Sequence, residues 1–204
     1  MTNETTYGFD TLQIHAGARP DPATGSRQTP IYQSTAFVFR DADHAAALFN
    51  LQEVGYIYSR LTNPTVAVLQ ERIATLEGGV GAVCCSSGHA AQIMALFPLM
   101  QPGRNVVVST RLYGGSITQF SQTIKRFGWG AKFVDFDDLD AVKAAIDDDT
   151  RAVFCESIAN PGGYITDLPA ISALSDEAGL PLIVDNTSAS AYLCRPIEHG
   201  ATLV

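Results

Sequence analysis

Four short clusters hold residue types that could do chemistry. Ser86-Ser87-Gly88-His89 joins two hydroxyls to a glycine at the start of a helical pattern. Small residues there let the backbone approach a ligand, and a helix start offers its N–H groups to an anion. Tyr113 stands before Gly114 and Gly115 and offers an aromatic face. Asn160 precedes Pro161, which holds its backbone extended and leaves its amide to face a ligand. Asp185-Asn186-Thr187 closes an apolar run. An acid in that place needs a partner, because burying a lone charge is costly. The partner is a capped helix, a metal or a cationic ligand nitrogen.

Each cluster taken alone also has a plainer reading. The first is an ordinary serine N-cap, and the others are a tyrosine and an asparagine in turns. A metal site is not expected. His15, His44, His89 and His199 are scattered, and Cys85 with His89 makes at most half a site. His89 reads better as polar lining at the helix entry. Neither a G-x-S-x-G elbow nor a dinucleotide or P-loop glycine pattern occurs. A serine hydrolase and a doubly wound nucleotide-binding protein are therefore disfavoured. The aspartates between 135 and 149 read as solvated faces and helix starts.

The elements that must position these residues alternate. Strands are expected at 80–85, 104–109, 132–136, 151–156 and 181–185. Helices are expected at 89–100, 115–127, 139–146 and 168–178. An earlier helix opens at Pro64, capped by Asn63, with Val66, Leu69, Ile73 and Leu76 on one face and Gly78-Gly79 as its stop. Short apolar strands alternating with helices specify a mostly parallel sheet covered on both faces, an α/β fold. Ligands of such sheets sit at the carboxyl ends of the strands, where all four clusters fall. Together they could hold a flat, phosphorylated heteroaromatic ring, the shape of pyridoxal phosphate, with an acid opposite its ring nitrogen. Residues 1–63 read as an irregular N-terminal arm with one short helix at 41–51, and 64–204 as part of a cofactor-binding domain.

Composition narrows the class. The chain has 204 residues, 46% of them apolar, enough for a sizeable core. Its balance of 13 basic and 21 acidic residues gives a formal charge of −8, which disfavours nucleic acid as a partner. No apolar run approaches the ~20 residues of a membrane span, and the N-terminus shows no secretory leader. Cys84, Cys85, Cys155 and Cys194 follow no scaffold spacing and read as reduced, buried and cytoplasmic. The run from Gly200 to Val204 looks like the start of a strand, so a longer polypeptide is expected.

Nine strings in order bring out a resemblance: FDTLQIHAG, QTPIYQSTAFVF, YIYSRLTNPT, LEGG, SSGHAAQ, LYGGS, ESIANP, VDNT and YLCRPIEHGA. From about Phe9 to the last residue the sequence resembles the pyridoxal-phosphate enzymes of cysteine and methionine metabolism. Within them it looks most like the O-acetylhomoserine sulfhydrylases; the lyase branch often has a cysteine where Gly115 stands. The resemblance implies the large domain of the aspartate-aminotransferase type. It assigns Ser87, Gly88 and His89 to the phosphate cradle, and Tyr58 and Arg60 to the phosphate of a neighbouring subunit. It stacks Tyr113 on the ring, where it is a candidate acid or base. Asn160 falls beside the ring hydroxyl or the substrate carboxylate, Asp185 on the pyridine nitrogen, and Thr187 in the same pocket. The Schiff-base lysine is implied beyond Val204; Lys125, Lys132 and Lys143 are not candidates. Ile158 stands where proline is common, and 188–191 replaces a more usual aromatic-Ala-Thr-Pro run. The implied activity is γ-replacement on an activated homoserine by a homo-oligomer, a dimer of dimers with shared sites. Methionine γ-lyase and the cystathionine enzymes are the alternatives within the family. The non-enzyme alternative is an inactive piece that keeps only fold and assembly surfaces.

Overall fold

In the computed structural model, residues 7–204 are described; the first six residues of the stretch read above for a leader lie outside them. The chain divides into two compact units, Met1–Cys84 and Cys85–Val204.

The first unit carries three helices, α1 (Phe9–His15), α2 (Ala42–Phe49) and α3 (Pro64–Glu77). The last two match the reading of the sequence. Asp41 caps α2 by accepting from the His44 N–H. Asn63 caps α3 by accepting from the Thr65 N–H at 2.9 Å, Pro64 opens it, and Gly78 ends it in the left-handed conformation. Asn63 does more than cap: its amide donates to the Tyr32 carbonyl and to Ser59 Oγ, both at 2.9 Å. Thr65 Oγ1 donates to the Pro30 carbonyl and accepts from the Tyr32 N–H. The start of α3 thus anchors the segment around residues 30–34. Helix α1 falls where irregular chain was expected. Gly8 gives it no side-chain cap and it buries no residue of its own, so it carried no sequence signal. It packs on α3, with Arg72 donating to the Ala16 carbonyl at 2.9 Å.

The second unit is a four-stranded parallel sheet in the order β2-β1-β3-β4, with β1 Asn105–Ser109, β2 Gly130–Val134, β3 Thr150–Glu156 and β4 Leu182–Asp185. Neighbouring side chains of a strand point to opposite faces. Val106 and Val108 therefore join one core with Leu96, Phe120, Ile124 and Phe154. Val107 joins the other with Val142, Val153, Ile171 and Leu182. The first core is capped by α4 (Gly88–Leu96) and the segment after β1; the second by α6 (Leu139–Ala145) and α7 (Leu168–Glu177). The expected α/β sheet with helices on both faces is what forms.

Three expectations are corrected. Residues 80–85 form no strand; Val80 and Val83 are exposed, and no ladder partner holds the run among the described residues. An apolar run signals a strand only where a neighbour completes its hydrogen bonds. The single helix expected at 115–127 is instead α5 (Gly114–Thr118), a wider π turn (Gln119–Thr123) and a tighter 3-10 turn (Ile124–Phe127). Cys84 and Cys85 are exposed rather than buried, whereas Cys155 lies in the core, where burial pushes its thiol up to about 12. After β4 come α8 (Ser190–Leu193) and a 3-10 turn (Pro196–His199). The expected strand start then makes one parallel bridge, Leu203 with Ile183.

Candidate active site

Two hydrogen-bonded sets lie at the carboxyl ends of the strands in the second unit. At the head of β4, Asp185 Oδ1 accepts from the Thr187 N–H at 3.0 Å and from the Thr187 hydroxyl. Its Oδ2 accepts from Gln92 Nε2 at 3.2 Å. Gln92 is 6% exposed, on the inner face of α4. Its amide nitrogen also donates to Ser116 Oγ at 2.9 Å, and its amide oxygen accepts from Gln119 Nε2 at 2.8 Å. Gln119 donates in addition to the His89 carbonyl at 3.2 Å. The strand-end acid is thus held by an amide relay that reaches back to the first turn of α4. Such fully connected buried polar groups fix a geometry, since each would cost free energy if left unpaired.

At that first turn Ser87 is an N-cap, its hydroxyl accepting from the Ala90 N–H at 3.2 Å. The plainer reading of this serine is therefore correct, and it leaves the anion reading intact. The first intrahelical bond runs from Ala91 N–H to the Ser87 carbonyl. The N–H groups of Gly88 and His89 precede it, at the positive end of the helix. A Cβ built on Gly88 meets nothing within 4 Å, and Gly88 and His89 are both exposed. The His89 ring stacks on the Tyr113 ring, centroids 5.9 Å apart and planes at 28°. Gly115 lies beneath the pair: a Cβ there would stand 2.6 Å from both His89 Cε1 and Tyr113 Cε1. Tyr113 is 50% exposed.

Glu156, the last residue of β3, pairs in register with Asp185. It is 4% exposed. Its Oε1 accepts from the Tyr113 N–H at 2.7 Å and its Oε2 from the Asn160 N–H at 2.9 Å. Burial pushes its carboxyl up, while the two N–H bonds pull the other way and the neighbouring Asp185 adds to the rise. Asn186 sits behind the site, buried, accepting from Ser157 Oγ and donating to the Cys194 carbonyl. The sequence reading named Asp185, Thr187, Tyr113, Asn160 and the 87–89 turn, and the structure brings these together. It missed Glu156, Gln92 and Gln119. Glu156 closes a strand just as Asp185 does, so position alone could have found it; the two glutamines lie mid-helix and gave no signal.

Tyr58 and Arg60 lie in the first unit, where the Arg60 guanidinium stands 5.5 Å from the centre of the Tyr58 ring and both are exposed. Their loop is pinned by the Ser59 N–H donating to Thr35 and the Phe37 N–H donating to Ile57. No cluster of three or more His, Cys, Asp or Glu able to hold a metal occurs among the described residues.

The model of the Cys/Met metabolism PLP-dependent enzymes matches residues 10–204, and the chain belongs to that family. It is 50% identical over 197 residues to a homocysteine synthase of Schizosaccharomyces pombe, covering 96% of this chain and 46% of that protein. It is 50% identical over 198 residues to O-acetyl-L-homoserine sulfhydrylase 1 of Thermus thermophilus, covering 96% and 47%. A crystal structure of an O-acetylhomoserine (thiol)-lyase of Campylobacter jejuni, with pyridoxyl-lysine monophosphate, superposes with a TM-score of 0.93 at 43% identity, covering 96% of this chain and 48% of that one. The chain thus spans about half the length of the relatives it matches.

Proposed function

We propose that the polypeptide carrying this chain replaces the acetoxy group of O-acetylhomoserine with sulfide or a thiol, giving homocysteine or methionine plus acetate. The observation that carries the reading is the pair of hydrogen-bonded sets, linked by the His89–Tyr113 ring stack and the Glu156–Asp185 strand pairing, that brings together the first turn of α4, the loop after β1 and the carboxyl ends of β3 and β4. Membership in the family and the names of its relatives supply the reaction class.

The residues present fit pyridoxal phosphate. The N–H groups of Gly88 and His89 suit a phosphate, the Tyr113 face suits a flat ring, and Asp185 suits a protonated ring nitrogen. When bound, the cofactor supplies an electron sink that lets bonds at the substrate's α- and β-carbons break and the γ-substituent leave. The Asp185 side chain is held in one orientation at the strand end because Thr187 and Gln92 donate to its two oxygens. Asn160 would lie beside the ring hydroxyl or the substrate carboxylate. Tyr113 is the chain's candidate to hold or move a proton near the reacting carbons.

On this reading the lysine that would anchor the cofactor lies beyond residue 204. Lys132 is engaged with the Ala145 carbonyl at 2.8 Å and Asp147 at 2.5 Å, and Lys143 with Glu177 at 2.7 Å. Tyr58 and Arg60 are assigned to the phosphate in a second subunit, within a dimer of dimers. No helix among the described residues is long and apolar enough to cross a membrane. A cytoplasmic location, expected from the sequence, goes with this reading. The test is a product assay on the full-length protein. O-acetylhomoserine plus sulfide should yield homocysteine and acetate. Methanethiol release from methionine alone, without that yield, would assign the lyase chemistry instead.

A further inference from the structure

Glu156 is a buried carboxyl to which the mechanism above gives no role. Glu156 is almost fully buried, and each of its oxygens is taken by a backbone N–H of a different loop: Tyr113 at 2.7 Å and Asn160 at 2.9 Å. The two loops follow different strands, β1 and β3. Tyr113 carries the aromatic face and Asn160 the amide of the candidate site. A carboxylate is a rigid, planar acceptor pair, so two N–H groups bound to its two oxygens are fixed relative to each other. The Thr166 hydroxyl donates to the Glu156 carbonyl at 2.7 Å, which secures the residue from its backbone side. The register places Glu156 opposite Asp185, so the clasp and the strand-end acid are neighbours in the sheet.

We propose that Glu156 is a positioning residue for the reaction, its carboxylate clasping the Tyr113 and Asn160 loops so that ring face and amide are held in one geometry around the cofactor. The proposal rests on the assignment of the site to pyridoxal phosphate. Both of its oxygens are occupied by backbone N–H groups. Its side chain acts only through the two backbones it holds. Glutamine in its place has one oxygen and one amide group, so one of the two N–H groups would face a donor. Its loop must then shift or lose its partner. A misplacement of about 1 Å in a reacting group costs on the order of a hundredfold in rate.

The experiment uses the full-length protein loaded with pyridoxal phosphate. Wild type, Glu156→Gln and Glu156→Asp are compared by visible circular dichroism of the bound cofactor, cofactor affinity, steady-state kinetics and melting temperature. For Glu156→Gln the expected result is a ten- to hundredfold fall in kcat, of the order a small misplacement produces. The circular dichroism band should change in size or sign. Cofactor affinity should stay near wild type, because the α4 amides are untouched, and the melting temperature should fall by no more than the few degrees that one unpaired buried N–H group costs. The aspartate variant keeps the charge but is one methylene shorter; it should show the same changes in smaller measure, and it decides the matter if the glutamine variant does not fold. A wild-type band with unchanged band and turnover in the variants overturns the proposal alone. So does a loss of melting temperature and cofactor together with normal turnover per bound cofactor. A wild-type protein with no saturable band overturns the cofactor reading and the proposal with it.

Discussion

Asp147 shows how a single side chain is tuned by its neighbours. It lies before β3 at the amino end of the sheet, where Lys132 donates to its Oδ2 at 2.5 Å and Asn105 and Thr150 donate to its Oδ1. These donors hold its carboxyl far below the usual carboxylate range, the Lys132 ammonium most of all. A carboxyl depressed in the folded state favours folding above its unfolded pKa, and that advantage fades as pH falls towards the folded value. Asp147→Asn should therefore lower the melting temperature at neutral pH. The gap to wild type should begin to narrow below about pH 5 and go on narrowing as the pH falls towards the folded value. Melting curves of both proteins over that range check this; a gap that stays constant would mean that packing, and not charge, is what the substitution removes.

At the scale of elements, the start of α3 is the most exposed to a single change. Asn63 caps the helix and also holds Tyr32 and Ser59. Replacing an N-cap asparagine by alanine costs about 1 kcal/mol, and losing the bonds to Tyr32 and Ser59 adds up to about as much again, so Asn63→Ala should lower stability by about 1–2 kcal/mol. Denaturant unfolding measures this directly. A loss no larger than that of an isolated cap would show that the Tyr32 and Ser59 bonds are idle. The cap itself was legible from Asn63-Pro64 and the spacing of Val66, Leu69, Ile73 and Leu76, because these are local signals. The central strands were legible for a similar reason: β1, buried on both faces, is a continuous apolar run. What stayed hidden depends on distant partners. The 80–85 run looks like a strand until one asks what pairs with it. The break in the 115–127 helix follows from Gln119 turning inward to His89 and Gln92, which no local pattern reveals. Asp185 could be found at a strand end, but the amide relay that holds it could not, since Gln92 and Asp185 are 93 residues apart.

At the scale of the whole molecule, the proposed function divides one site between two copies of the chain. Arg60 belongs to the first unit and Asp185 to the second. If Arg60 serves the phosphate of a neighbouring subunit, Arg60→Ala and Asp185→Asn homo-oligomers should each be impaired. Hetero-oligomers of the two should recover activity, because one site in each pair then has both wild-type residues. A guanidinium that grips phosphate through two bonds is worth more than a point charge, so the separate defects should be large enough to make the recovery plain. Absence of recovery in verified hetero-oligomers would place Arg60 in the same subunit's site.

The central claim is that the acid at the head of β4 faces a protonated pyridine nitrogen, and Asp185→Asn in the full-length protein tests it most directly. Asparagine keeps the shape and can still accept from Thr187, but it removes the charge. Each pKa unit lost by the ring nitrogen corresponds to about 1.4 kcal/mol, or roughly tenfold in rate if it appears in the barrier. Loss of two or more units should lower kcat by at least about a hundredfold at saturating cofactor. The melting temperature of the same sample should fall by only a few degrees, since the new amide group faces the Gln92 Nε2 donor while the Thr187 bonds remain. Near-normal turnover with a lowered melting temperature would contradict the account, leaving Asp185 as no more than the anchor of Gln92 and Thr187 at a strand end.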